Sequence, residues 1–519
     1  MVPVSLSVTR RAISVTTMGA QLDDTDRKLL QLGGLIQTAI AEYVTQRHRP
    51  NGAEGSLPSK PVFNAQQTLQ SAAGVLTELA SDPKGRLLEV SSQYFEARAL
   101  HIVADKRIPN MLAESGAGGL DVRTLASRCG IEHRKLSRVM RCLCSIHIFA
   151  EVAEDVFANN DISASLVDNE PLRAYILLFG LDLYSSSDYL PRYLSDPARG
   201  PSYAVDVTPW QDAVGTTKPR WDWLEEKVRV SDLRTGLNGT DSGPSAYPGV
   251  FGTELQKLVA SAGKDEAVAR PEHAIFGLAM LGGGLTFGQA HLYGTSHHAS
   301  LYYYLYLVSE ADPSPDFPWA SLGVATVVDV GGGVGGFCTQ LSHVYPDLRF
   351  VIQDRAPVLR QAETEVWPRE NPTALAAGRV QFVPHNFFDP NPVPGAEVYW
   401  LRYILHDWSD DYCVRILGAI KSAMGPRSRI LICDQVMNTT VGCAELPPAP
   451  APLPANFGYH KRYSHQRDLA MMSIINGIER KPSEFRDLAE SSGLKLTRIM
   501  DCRSQVGLVE LVLPDSELC

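Results

Sequence analysis

Apolar residues recur at helical spacing through roughly the first 320 positions, then gather into short, nearly continuous runs. Leu29, Leu30, Leu32, Leu35, Ile36, Ile40 and Val44 follow a 3.6-residue period, which predicts an amphipathic helix over 25–47. A polar Gly/Pro stretch at 51–61 detaches it from two further helices, near 66–80 and 86–115. Thus detached, the first helix either packs on its own domain or crosses to a partner subunit. Between 120 and 165 the pattern is that of a winged helix. A short helix starts at Leu120 to Ala126 and Gly130 breaks it. Leu136, Val139, Met140 and Leu143 face inward from the helix that follows, and 148–152 and 156–158 pair as the wing. Residues 166–320 read as mostly helical and rich in aromatics, among them Trp210, Trp221, Trp223, Phe276, Phe287 and the run Tyr302-Tyr303-Tyr304-Leu305-Tyr306. Most belong to a core, and some can wall a pocket for a flat aromatic ligand. The Gly/Ser/Pro-rich stretch 231–249 has no period and reads as a loop, part of an insertion at 228–265.

From about residue 321, strand and helix alternate. Strands are expected near 324–330, 348–354, 380–384, 396–402, 428–434, 494–499 and 505–513. A helix over 410–424 turns Cys413, Ile416, Leu417 and Ile420 to the sheet. This alternation builds a doubly wound α/β sheet, whose ligand belongs at the carboxyl ends of the strands. The first strand runs Val327-Val328-Asp329-Val330 into Gly331-Gly332-Gly333-Val334-Gly335-Gly336. Five glycines in six positions mark a sharp strand-to-helix turn that lets a ligand reach the main chain. Gly331, Gly333 and Gly336 satisfy the G-x-G-x-x-G spacing of dinucleotide folds. Asp329, Gly331, Gly333 and Gly335 satisfy D-x-G-x-G-x-G, the pattern of S-adenosylmethionine (SAM) binders. The acid favours SAM, which carries a sulfonium and an ammonium and no phosphate, over a pyrophosphate that a carboxylate repels. Asp354, closing the next strand, can grip both ribose hydroxyls of either cofactor.

The strand at 396–402 closes in Arg402-Tyr403-Ile404-Leu405-His406-Asp407-Trp408. His406 stands at the ligand rim as a candidate general base. Near its ordinary pKa of about 6.5 it is mostly neutral, and it can take the proton of a phenol of pKa about 10 as the bond forms. A carboxylate on its other nitrogen would orient the ring and stabilise the imidazolium. Asp434, closing the next strand, and Glu479, after Gly477, are the candidates. Asp407 ranks below both, because it points the opposite way if the strand continues.

The 519 residues suffice for two or three domains, and an apolar share of 44% supplies a sizeable core. A net charge of −10 argues against a nucleic-acid partner. Arg134, Lys135, Arg138 and Arg141 of the second wing helix therefore read as a solvated face rather than as DNA contacts. No run of eighteen apolar residues predicts a membrane span. Nine cysteines form neither a CxxC nor a zinc-spaced set with histidine, so no metal site is expected. They fit a reduced, cytoplasmic protein in which the sequons at Asn238 and Asn438 go unused. Residues 1–21, with Arg10, Arg11 and no acid, read as a disordered tail with a slight transit-peptide character.

Five segments carry a resemblance when taken in order. They are Val327 to Gly336, Gln353-Asp354-Arg355, His385-Asn386-Phe387-Phe388-Asp389, Leu405-His406-Asp407-Trp408-Ser409-Asp410 and Gly477-Ile478-Glu479-Arg480. Together they resemble the class I SAM-dependent O-methyltransferases, most of all the caffeic-acid-type plant enzymes and their fungal secondary-metabolite relatives. The resemblance covers 270–519 and, more loosely, 86–170, where that family carries a winged-helix dimerisation domain. With the residue patterns above it divides the chain into an N-terminal tail and helices at 1–85, a winged-helix domain at 86–170, a helical substrate-pocket region at 171–320 and a Rossmann-like SAM domain at 321–519; residues 1–85 and the insertion at 228–265 match the family loosely or not at all. It further implies a homodimer, and methyl transfer from SAM to a phenolic hydroxyl of a small aromatic metabolite. Gly331, with Asp329 and Gly333 of the same motif, would meet the amino-acid end of SAM and Asp354 its ribose. Asn386 and Phe387 would flank adenine, Arg402 would add a further SAM contact, and His406 would be the base, with Asp434 and Glu479 beside it. Three positions depart from the family pattern. Asn386 stands where the family usually has Asp; Arg402 and Asp434 stand where the plant enzymes have Lys and Glu. The shorter Asp434 makes Glu479 the firmer partner. The Pro-rich stretch 446–454 would form a lid-like loop at the substrate mouth, and Met471 and Met472 either line the pocket or belong to the core. A methyltransferase acting on carbon, nitrogen or carboxylate, a non-catalytic SAM-binding regulator and an NAD-dependent oxidoreductase are the rival readings.

Overall fold

The structure is a computed structural model and describes residues 22–47, 58–237, 247, 249–250, 253–287 and 316–518. The 1–21 tail, Asn238, the run Tyr302 to Tyr306, the side chain of Phe287 and the middle of the 228–265 insertion lie outside the described residues.

Seven strands build one sheet: β1 (Thr326–Val330), β2 (Arg349–Asp354), β3 (Val380–Pro384), β4 (Val398–Arg402), β5 (Arg429–Asp434), β6 (Lys495–Asp501) and β7 (Gly507–Val512). Their order is β6-β7-β5-β4-β1-β2-β3. β1 to β5 run parallel, and β7 lies antiparallel between β5 and β6. Alternate residues of each strand enter opposite cores. Val327, Phe350, Trp400 and Leu431 pack with the helix Gly336–Val344 on one face. Val328, Val351, Tyr399 and Ile430 pack with the helices Asp410–Lys421 and Pro482–Ser491 on the other. Burial on both faces is why these strands read as continuous apolar runs. The expected doubly wound α/β fold is present. Its order reverses between β1 and β4, which opens a crevice at their carboxyl ends.

The N-terminal region is helical. α1 (Asp24–Arg47) packs on α2 (Lys60–Ala80), and Leu32, Ala72 and Val75 of this pair form a small core with Leu453. The first helix therefore packs on its own chain. For the same reason the stretch 446–454 is fastened beneath α1 and α2 rather than standing as a free lid. The helix expected over 86–115 is three: Pro83–Ser92, Tyr94–Asp105 and Ile108–Ala113. The last break falls where Arg107 takes a left-handed φ of 53° and Pro109 opens a new helix. In the winged-helix unit the helix Val122–Cys129 ends at Gly130 (φ 73°) and α3 (His133–Ser145) follows. The wing strands Phe149–Ala153 and Val156–Asn159 pair, and Leu120–Asp121 adds a third strand. Arg141 of α3 is engaged by Glu151 and Asp155 of the wing.

α4 (Glu170–Gly180), α5 (Pro271–Phe287) and the short helices between them cover the crevice. Trp210, Trp223 and Leu177 share a core there with Ile474 and Ile475 of α6 (Arg462–Ile475). The stretch read as an aperiodic loop from 231 begins instead in the helix Val230–Leu237, beside a hairpin of Lys227–Arg229 with Ala267–Ala269. No helix of the described residues is long and apolar enough to cross a membrane.

Candidate active site

β1 delivers the glycine turn to the crevice. Gly331 and Gly333 both adopt left-handed φ, 71° and 59°, which a side chain would strain. The turn is tied from below: the N–H groups of Gly331 and Gly332 donate to Gln353 O at 2.9 and 3.0 Å. Gly333 N–H donates to Asp354 Oδ2 at 2.8 Å, so the loop and the acid closing β2 form one unit. A Cβ on Gly331 would lie 2.7 Å from Ile404, whereas nothing stands within 4 Å of the same position on Gly333. The turn is tight underneath and open above, as a ligand cradle must be. Asp329 is buried behind it, and burial lifts its pKa to about 7 although the Cys338 thiol donates to it at 3.3 Å. Phe387 walls the cradle and packs edge-on against Phe388 and Trp408; Asn386 is exposed in the same turn. Arg402 donates to Gly284 O of α5 at 3.2 Å, and its Nε is buried without a partner among the described residues. Carboxylates around an open backbone cradle fit a cationic cofactor with ribose hydroxyls, so these residues fit SAM.

The second half of the site begins where β4 ends. Tyr403 takes a left-handed φ of 54°, and the chain enters a tight helical turn, Leu405–Asp407. The strand does not continue, so Asp407 does not point away from its neighbour: its Oδ1 lies 3.2 Å from His406 Nε2. On the other nitrogen, His406 Nδ1 meets Glu479 Oε1 at 2.9 Å. Arg467 of α6 lies 3.3 Å from the same oxygen, and Glu479 N–H donates to Asp468 at 2.9 Å. Asp434 shares no hydrogen bond with the imidazole. Both its oxygens are buried without a partner among the described residues, and burial lifts its pKa to about 6. Of the two carboxylates expected beside the base, Glu479 touches it and Asp434 does not.

Two features hold this cluster. Ile478 N–H donates to His406 O at 2.9 Å, and a Cβ on Gly477 would strike that oxygen at 2.3 Å, so only glycine lets the two segments meet. Arg480, 1% exposed, donates to Leu405 O and Trp408 O at 2.8 and 2.7 Å and pairs with Asp410. Its place beside Glu479 in a recognisable segment was a usable signal. Arg467 gave none, since it lies on another helix and reads as an ordinary charge. Its guanidinium stands 4.6 Å over the Tyr403 ring, which lies 5.6 Å from the imidazole. Met471 packs against the core around Ile474. The ordinary pKa expected for His406 does not hold either. Burial alone would lower it, but the charges of Glu479 and Asp407 outweigh burial and lift it to about 9.

A parallel sheet with one antiparallel strand, an acid-and-glycine turn and a second acid, Asp354, at the switch point define a class I SAM-dependent methyltransferase. Comparison with known proteins narrows the class. A family model described as an O-methyltransferase domain matches residues 319–495. The O-methyltransferase gedA of Aspergillus terreus is 56% identical over 94% of this chain and 97% of its own. The O-methyltransferase tpcA of Aspergillus fumigatus is 53% identical over 92% and 94%. The chain belongs to the SAM-dependent O-methyltransferase family, and SAM is its cofactor. Among solved structures, LepI in complex with SAM aligns at a TM-score of 0.60 with 20% identity, over 94% of this chain and 99% of that one. The mitomycin 7-O-methyltransferase MmcR aligns at 0.53 with 23% identity, over 85% and 99%. At those identities the structures speak for the fold alone.

Proposed function

We propose that this enzyme methylates a phenolic hydroxyl of a small aromatic secondary metabolite, with His406 as general base. The observation that carries the reading is the buried His406–Glu479 pair at 2.9 Å, set at the strand rim beside the glycine cradle. When bound, SAM supplies a methyl group on a cationic sulfur. The chain's own residues do the rest. Gly331, Gly333 and Asp329 would receive the amino-acid end of the cofactor and Asp354 its ribose. Asn386 and Phe387 would flank the adenine, with Arg402 as a further contact. Glu479 holds the ring through Nδ1, so the acceptor's proton goes to Nε2, the nitrogen beside Asp407. His406 and, after it, Arg467 keep Glu479 charged, and the α4–α5 cover excludes water. Holding both reactants in register supplies several kcal/mol of the barrier reduction. Aromatic side chains at the cover, Tyr175, Phe179 and Phe276, suit a flat acceptor. A homodimer belongs to this reading as well: the helix Pro83–Ser92 buries no residue, yet Leu87 and Leu88 are 73% and 71% exposed.

Mass spectrometry of the enzyme with SAM and a panel of phenols, catechols and aromatic acids tests the proposal. A methylated phenol from wild type and none from His406→Ala is expected. Methylation on carbon, nitrogen or carboxylate, or undiminished turnover by the variant, would refute it.

A further inference from the structure

Both nitrogens of His406 have a carboxylate beside them. Glu479 is fixed on Nδ1: its side chain is fully buried, Arg467 engages it, and its backbone is tied to Asp468. Asp407 is held differently. Its backbone is fixed by the turn, but its carboxylate accepts no hydrogen bond among the described residues and meets only Nε2, at 3.2 Å. Its side chain is 16% exposed where that of His406 is 4%. Asp407 is thus the member of the trio that can move, and the one that reaches water. It also sits at the nitrogen that a methyl acceptor needs.

We infer that Asp407 is a positioning residue that occupies the acceptor oxygen's place at Nε2, keeps His406 protonated while no acceptor is bound, and turns away when the acceptor hydroxyl arrives. This rests on the reading of His406 as the base. The proton balance follows. The Nε2 proton leaves on the Asp407 carboxylate and passes to water at its exposed edge. Neutral Nε2 then accepts the proton of the acceptor hydroxyl as the oxygen takes the methyl group. Departure of the product returns Asp407 to the imidazolium, so one proton reaches solvent per methyl transferred. The other charges around the ring are Glu479, Asp434 of β5, Arg467 of α6, Arg480 behind the turn and Arg220 of the helix Arg220–Leu224. They are common to wild type and an Asp407 variant, so a difference between the two isolates Asp407.

The test is a pH titration of the full chain labelled with 15N-histidine, with the His406 signal assigned as the one missing from His406→Gln. The expected wild-type midpoint is about 9. Asp407→Asn should lower it by at least one pH unit, a tenfold change, and Asp407→Glu should restore most of the shift. A wild-type midpoint near the ordinary value of about 6.5 would overturn the inference, as would an unmoved midpoint in Asp407→Asn. If Asp407→Asn fails to fold, Asp407→Ser is read in its place, and an unmoved midpoint there would overturn the inference. Turnover of His406→Gln is read separately: retained activity would end the general-base reading and leave the titration result standing.

Discussion

At β1 the half of the site proposed for the cofactor is made of backbone: two left-handed glycines, N–H groups tied to Gln353 and Asp354, and an open space over Gly333. Past β4 the half proposed for the acceptor is made of side chains. His406, Asp407, Glu479 and Arg467 come from three segments, and all are more than 80% buried at the side chain. The two halves should therefore fail differently. A backbone cradle loses affinity when its geometry changes, whereas a buried ionic cluster loses rate and titrates.

The sharpest break is His406→Ala. We expect kcat to fall roughly 10²- to 10⁴-fold, with SAM affinity by calorimetry unchanged. Loss of SAM binding in that variant would mean that the halves are not separable. Asp354→Ala should do the converse. Removing the group that joins Gly333 to the ribose position should weaken SAM roughly tenfold or more, since a hydrogen bond to a charged partner is worth about 1.5–3 kcal/mol; unchanged affinity would refute the ribose role. Arg467→Gln should slow turnover by a smaller factor and leave SAM affinity alone, because it touches Glu479 rather than His406 itself.

Asp434 tests the ionic half through stability. Its folded pKa, about 6, is raised above the ordinary 3.8. Its favourable contribution is thus present below 3.8 and lost as pH climbs through 6, after which the fold carries a buried charge at a cost of roughly 2–3 kcal/mol. Asp434→Asn should match wild type in melting temperature near pH 4 and exceed it at pH 8. No pH dependence in the difference would show that Asp434 ionises freely. The smallest effect lies outside both halves. Replacing Leu87 and Leu88 by serine should change monomer stability by no more than about 0.5 kcal/mol each, while light scattering shows a dimer giving way to monomer.

The same contrast explains what the sequence made legible. The glycine turn, Asp354 and the central strands could be read because local backbone demands and two-sided burial leave local patterns, and the edge strands β3 and β6 because their apolar residues still cluster. His406 and Glu479 were found through recognisable segments. Arg467 was not, because its role depends on α6 crossing a turn far away in the chain. Asp407 was misplaced because alternation along a strand was assumed to run past Arg402, where Tyr403 instead takes a left-handed φ and the strand stops. The pKa of His406 was misjudged because its ordinary value was taken over without the charges of the carboxylates around it, Glu479 first and Asp407 second.

The Leu32–Ala72–Val75–Leu453 contact bears on how the chain is made. α1 and α2 are made well before residue 453, and among the described residues the core that they share is completed by Leu453. At roughly 5–20 residues per second that wait lasts some tens of seconds. During it the nascent N-terminus presents an uncovered greasy surface that chaperones can hold. The final docking would then act as a late checkpoint, closing only on a chain whose five parallel strands, β1 to β5, have already been synthesised.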